Sequence, residues 1–263
     1  SGYDLLPVAA ADVISAAEFQ IKQFAVPVVI SGLEQLQNAG REQMIDLMEA
    51  RINVAESTMA NQLSVSIYSD GTGDGGKEVT GLDAAVAEDP TTGTYGGINR
   101  ASWNFWRNYA FDANVDGGAA ISSSNIQTYM NGVWANLVRG SDRPDLIVMD
   151  NVMWSYYMGS LQPQQRFTDP AQANLGFPTI KFMDADVVLD GGIGGACPTK
   201  TAFFLNTKYL YWRPHRDRNM VPLSPDRRYA INQDAEVQIL AWAGNLTCSG
   251  AQFQGRLFDT TAP

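Results

Sequence analysis

The sequence is poor in the residues on which much enzyme chemistry depends. It has one histidine, His215, and two cysteines, Cys197 and Cys248, in 263 residues. A serine–histidine–aspartate arrangement would have to be built on His215, and no Gly-x-Ser-x-Gly turn accompanies it. The two cysteines lie far apart in sequence, match no zinc spacing and make no disulfide framework. They read as reduced thiols of a cytoplasmic protein. Positive charge is also scarce: 18 Lys and Arg stand against 28 Asp and Glu, a net charge of −10. A chain built to grip nucleic acid shows a basic field instead. No apolar run approaches the length of a membrane span, and no signal peptide opens the chain.

What is present is material for packing. Hydrophobic residues make 45% of the chain and aromatics 10%, with 17% charged. That is enough for a sizeable core in one large domain or two smaller ones. Few charges with many aromatics imply surface that something else covers, and 24 glycines imply long loops. Residues 1–30, punctuated by Gly2, Pro7 and Pro27, read as an extended arm or loop with strand character at Val26–Ile30. Residues 38–67 carry the clearest periodicity. Asn38 can cap, and Met44, Met48, Ile52, Ala55, Met59 and Leu63 recur at steps of three or four. That spacing puts them on one face of a long helix. A helix of about 27 residues would span about 40 Å. Its methionines read as adaptable packing, and a charge at Met48 is expected to prevent folding.

A second helix is predicted over 124–138, capped by Ser122–Ser124, with Ile126, Met130, Val133, Trp134 and Leu137 on one face. A third is predicted over 151–161. Strands are expected over 144–149, 180–183, 186–189, 202–205 and 210–212. Two long strands, 235–242 and 246–257, flank a predicted turn at Gly244-Asn245. The order is α+β, with no βαβ regularity and no internal repeat.

Several stretches come close to known sites and fall short. Gly71–Lys77 matches Gly-x-x-x-x-Gly-Lys, but Glu78 replaces the Ser or Thr that holds magnesium, and the loop leaves a helix instead of entering one. Asp70, Thr72, Asp74 and Gly75 have calcium-loop spacing, yet Gly81 stands where a bidentate Glu is needed. Gly191–Gly195 is followed by Pro198 and no helix, which excludes a dinucleotide fingerprint. Asp184, Asp186 and Asp190 read as exposed strand charges. The aromatic group Trp103, Phe105, Trp106 and Tyr109, beside Arg100 and Arg107, could stack bases or sugars; anchoring in the core or at a subunit contact is the favoured reading. No cofactor and no metal are expected.

Taken in order, a series of stretches resembles one family. It begins with Ile30-Ser31-Gly32-Leu33-Glu34, Ile45-Asp46-Leu47-Met48-Glu49-Ala50-Arg51 and Tyr68-Ser69-Asp70-Gly71-Thr72-Gly73. It continues through Thr91–Arg100, Phe105-Trp106-Arg107-Asn108, Pro144–Val148 and Asp186–Gly192. It ends with Phe204-Leu205-Asn206-Thr207, Arg213–Asn219, Asn232-Gln233-Asp234-Ala235 and Trp242–Leu246. The series resembles the major capsid proteins of tailed phages and covers nearly the whole chain. The resemblance implies the HK97-like capsid fold, α+β, with a long spine helix, peripheral and axial domains and an extended loop. Residues 1–31 would be part of the extended loop, 32–119 and 229–263 the peripheral domain with its spine helix at about 38–67, and 120–228 the axial domain. No stretch matches the family's N-terminal arm or the outgoing half of its extended loop.

The implied function is structural: self-assembly into the icosahedral head that encloses a phage genome. Partners would be other copies in hexamers and pentamers, with portal, scaffold and decoration proteins. Packaged double-stranded DNA would be touched only non-specifically, and no membrane is involved. The location would be the virion, after assembly in the host cytoplasm. Candidate subunit-contact residues are Arg213, His215, Arg216, Asp217, Arg218, Trp103 and Trp106. The alternatives are a glycan- or receptor-binding module using the aromatics, an encapsulin-type nanocompartment shell, and a hydrolase built on His215.

Overall fold

The computed structural model describes residues 16–37, 44–161, 180–192, 195–223, 228–229 and 234–261. The first half holds β1 (Lys22–Ser31), α1 (Gly32–Gln37), α2 (Met44–Ile67), the short turns α3 (Gly73–Gly76) and α4 (Leu82–Ala85), the β2 (Thr94–Tyr95) and β3 (Ile98–Asn99) pair, β4 (Tyr109–Asp112) and α5 (Ile126–Leu137). After it come β5 (Leu146–Met149), α6 (Asn151–Leu161), β6 (Ile180–Phe182), β7 (Ala185–Leu189) and β8 (Thr201–Leu205). The chain ends with β9 (Leu210–Pro214), β10 (Val221–Pro222), β11 (Arg228–Tyr229), β12 (Ala235–Cys248) and β13 (Gly255–Phe258).

β12 is the organiser of the first sheet. One edge pairs antiparallel with β1 over 235–244. The other takes β11, β10 and β9 in succession, from Val237↔Arg228 to Cys248↔Leu210. The predicted turn at Gly244-Asn245 is therefore corrected: the strand runs unbroken for 14 residues. The glycine serves close packing instead. A Cβ at Gly244 would lie 2.6 Å from the Arg213 carbonyl oxygen and 2.7 Å from the Trp242 ring, and a strand glycine often marks such an approach. Asn245, 4% exposed, accepts a hydrogen bond from the Thr80 N–H (2.9 Å) and donates to the Gln20 carbonyl (2.8 Å). A turn-forming side chain is thus spent on joining three segments.

Where the spine helix is expected the chain forms α2, 24 residues long or about 36 Å; residues 38–43 lie outside the described residues. It packs on β1 and β12. Ala55 and Met59 are buried, Ile52 and Leu63 half-buried, and Val54 and Val65 exposed. The buried stripe is therefore narrow. The side chains of Met44 and Met48 lie outside the described ones.

The second sheet is mixed, in the order β4-β13-β8-β5-β7-β6. Its central strands are covered on both faces. Along β8, Phe203 and Leu205 enter one apolar cluster, shared with Met59, Trp106 and Trp242, while Ala202 and Phe204 enter another, shared with α5 and α6. The alternation follows the period of two of a pleated strand, and burial on both faces explains the continuous apolar run. α5 buries Ile126, Met130, Val133, Trp134 and Leu137, the face that its spacing predicts. Its start differs. Asn125 precedes the helix and no side chain caps it; the Ser122 carbonyl instead accepts from the Asn125 and Ile126 N–H groups. β4 and β13, from segments assigned above to the peripheral part, pair within this second sheet, and β9, from the axial part, pairs with β12.

Candidate functional site

The glycine-rich loop after α2 folds upon itself. Asp70 accepts from the Thr72 N–H (2.8 Å) and hydroxyl (2.8 Å), and these bonds hold its carboxyl below the usual range. Glu78 accepts from the Ser69 hydroxyl at 2.6 Å. The Gly76 carbonyl takes the Lys22 ammonium, which places a cation where a phosphate loop would present N–H groups. Among the described residues, no group of three His, Cys, Asp or Glu side chains could hold a metal ion. The three aspartates near β7 diverge: Asp184 pairs with Arg143 at 2.7 Å, Asp186 lies 3.9 Å from Lys181, and Asp190 accepts from the Tyr68 hydroxyl.

The aromatic group divides. Trp106 is 5% exposed, its indole N–H donates to the Tyr95 carbonyl at 2.9 Å, and its ring stacks on Tyr95. It belongs to the core of its own chain, one of the two places expected for the aromatic group, and one edge of it lines the groove described below. The cause is its 3₁₀ turn, Asn104–Trp106, which sends successive rings in different directions. Trp103 and Phe105 stay 38% and 43% exposed and meet edge to face. The two arginines are not available to a phosphate chain. Arg100 is buried; it donates to the Ala84 and Ala85 carbonyls at 2.6 and 2.8 Å and closes the end of α4. Arg107 donates to the Arg100 and Ala101 carbonyls.

The segment 213–218 is exposed throughout and forms a turn clipped to β12. The His215 N–H donates to the Ala243 carbonyl (2.7 Å), and the Ala243 N–H donates to the Arg218 carbonyl (2.8 Å). The His215 ring is committed to this turn, its Nδ1 accepting from the Asp217 N–H at 3.2 Å. Among the described residues none of Arg213, Arg216 and Arg218 has a carboxylate partner. Arg213 lies over the Tyr211 ring, 5.1 Å from its centre.

Between these two features opens a groove of about 640 Å³. Phe105, Trp106, Tyr211, Arg213, Cys248 and Phe253 are among the residues that line it. Phe253 is fixed by stacking on Tyr209 at 4.5 Å. Of the lining residues, the sequence singles out Phe105, Trp106 and Arg213 and misses Tyr211 and Phe253. The lining comes from segments some hundred residues apart, so no local pattern could reveal it. Both thiols are weakly acidic: burial pushes Cys197 up to about 12 and Cys248 up to about 11.

Among the described residues, no helix is long and apolar enough to cross a membrane. No protein-family model matches the sequence, and no curated protein matches it. Solved structures do resemble it. The chain aligns with one from the capsid asymmetric unit of cyanophage A-1(L), at a TM-score of 0.61 and 14% identity, over 92% of this chain and 78% of that one. It aligns with a chain from the capsid of an empty GTA particle at 0.58 and 11% identity, over 97% and 81%. A chain of the holo-SrpI encapsulin complex from Synechococcus elongatus follows at 0.52 and 8%, over 91% and 74%. At such identities the shared property is the fold.

Proposed function

We propose that this chain, whose fold is the HK97-like capsid fold, is a shell subunit that assembles with copies of itself into the head of a tailed phage. The observation that carries the reading is a fold shared with chains of assembled shells over most of its length. The composition supports it, since a net charge of −10 suits a wall that must not adhere to packaged DNA.

On this reading α2 is the spine, residues 32–119 and 229–263 form a peripheral domain, 120–228 form an axial domain, and 1–31 belong to the extended loop. Two strands modify that division: β4 and β13 stitch the ends of the peripheral segments into the axial sheet. Partners are other copies in hexamers and pentamers, with portal, scaffold and decoration proteins, and double-stranded DNA touched only non-specifically. The site of action is the virion, with assembly in the host cytoplasm.

Negative-stain microscopy and sedimentation of the full-length protein test this. Rings or closed shells are expected; a strictly monomeric species across salt, pH and concentration would refute it. The likeness to an encapsulin chain favours a second reading, a nanocompartment shell. Particles from the native source decide between them: double-stranded DNA inside fits a phage head, and enclosed protein fits a nanocompartment.

A further inference from the structure

We infer that the groove between the Trp103–Trp106 turn and β9 is the seat for a peptide segment of a second copy of this chain, one that brings an apolar side chain next to a carboxylate. This rests on the shell reading above and names the partner at that surface.

Three observations converge. First, the walls are apolar and preformed. Phe105 is held by Trp103 and Trp106, with ring centres 5.7 and 6.3 Å away. Phe253 is held by Tyr209, and Trp106 by its indole hydrogen bond. Rigid aromatic walls reduce the entropy lost when something docks. Second, the hydroxyls at the rim have spent their donors within the chain. The Tyr211 hydroxyl donates to the Lys208 carbonyl (2.7 Å), Thr247 to the Tyr211 carbonyl (3.4 Å) and Ser249 to the Tyr209 carbonyl (3.4 Å), while the Gln252 Oε1 accepts from Arg139 (3.4 Å). A sugar needs several convergent donors and acceptors, and this rim has few to give. Third, Arg213 retains its guanidinium donors with no carboxylate among the described residues, and Arg216 and Arg218 follow on the same exposed turn.

The occupant is therefore apolar in bulk and anionic at one point. An acidic chain supplies that in another copy of itself: 28 carboxylate residues against 18 cations leave acidic groups in excess on every subunit. Charge complementarity of this kind fixes register and rate as well as affinity. The contact is heterologous, since the groove of one copy meets a different surface of the next, and such contacts make rings where the rotation between copies closes.

The test places a photo-reactive benzoylphenylalanine at position 105 of the full chain and irradiates assembled particles. The expected product joins two copies through a peptide containing Asp or Glu beside an apolar residue. Arg213→Glu, with Arg213→Gln as a milder control, should lower particle yield at least tenfold while thermal unfolding stays unchanged. Particles that form normally with Arg213→Glu, and show no cross-link between copies, would overturn this inference and leave the shell reading intact. Failure of the unaltered chain to assemble would overturn the shell reading itself. A mobility shift of double-stranded DNA, or retention on a glycan array, lost in Arg213→Glu would assign the groove to a different partner and also overturn the inference.

Discussion

Arg256 reaches Asp83 across 2.7 Å with its own side chain 4% exposed. It also meets Glu88 at 2.8 Å and lies between the Phe203 and Phe258 rings, 5.0 and 5.6 Å from their centres. The pair ties α4 to β13, and so joins the apolar cluster under α2 to the second sheet. Arg256→Met would leave two carboxylates without their cation, one of them half-buried. A loss of about 1.5–3 kcal/mol is expected, the range for losing hydrogen bonds to a charged group, since the carboxylates left behind keep some access to water. Urea denaturation measures it, and a change under 1 kcal/mol would show that the pair is dispensable.

Asp83 and Asp142 should respond to pH with opposite sign. Burial pushes the Asp83 carboxyl above its ordinary value and outweighs the nearby Arg256. Asp142 is held below the usual range by the Lys208 ammonium at 3.0 Å and the Tyr209 hydroxyl at 2.9 Å. A raised carboxyl binds its proton more tightly when folded, so its contribution is full below the unfolded value and is lost as pH rises through the folded one. A lowered carboxyl contributes above the unfolded value and loses that contribution as pH falls through the folded one. Stability–pH curves of Asp83→Asn and Asp142→Asn should differ from wild type on opposite sides of the ordinary carboxylate range. Identical curves would refute the assignment.

Among the described residues β1 is an edge strand, paired only with β12. Arg51 from α2 donates to the Val29 carbonyl at 2.6 Å, so that carbonyl faces outward, as does the proline nitrogen two residues earlier, which has no hydrogen to offer. Proline and an inserted cation are common guards of a sheet edge. Pro27→Val should keep the fold and raise irregular aggregation, read by light scattering at matched concentration. Equal scattering would show that the edge needs no guard.

Met59, fully buried, and Val54, 65% exposed, sit on opposite faces of α2. Met59→Ala should cost about 2–5 kcal/mol and Val54→Ala less than about 0.5 kcal/mol. Comparable losses in chemical denaturation would mean that the buried face is wrongly placed.

How much of this was legible depended on how local each cause is. α5 was readable because one period of 3.6 sets both its span and its buried face. α2 was readable in span for the same reason, although only Ala55 and Met59 of its expected stripe are fully buried among the described side chains. β12 was misread because Gly244-Asn245 carries turn chemistry, while the reason for the glycine is the Arg213 carbonyl on the neighbouring strand. Trp103 and Trp106 look alike in sequence, and only the 3₁₀ turn between them decides which one is buried. Arg100 looked available for anions and is consumed by the carbonyls of α4.

The state of the two thiols has a practical consequence. With Cys197 pushed up to about 12 and Cys248 up to about 11, both stay protonated near neutral pH, and the thiolate is the form that reacts. They are also the only cysteines in the chain. A cysteine introduced at Val115, 73% exposed, would outcompete them for a maleimide dye. The chain can therefore take a label or a displayed ligand at a chosen surface point with its native cysteines left in place.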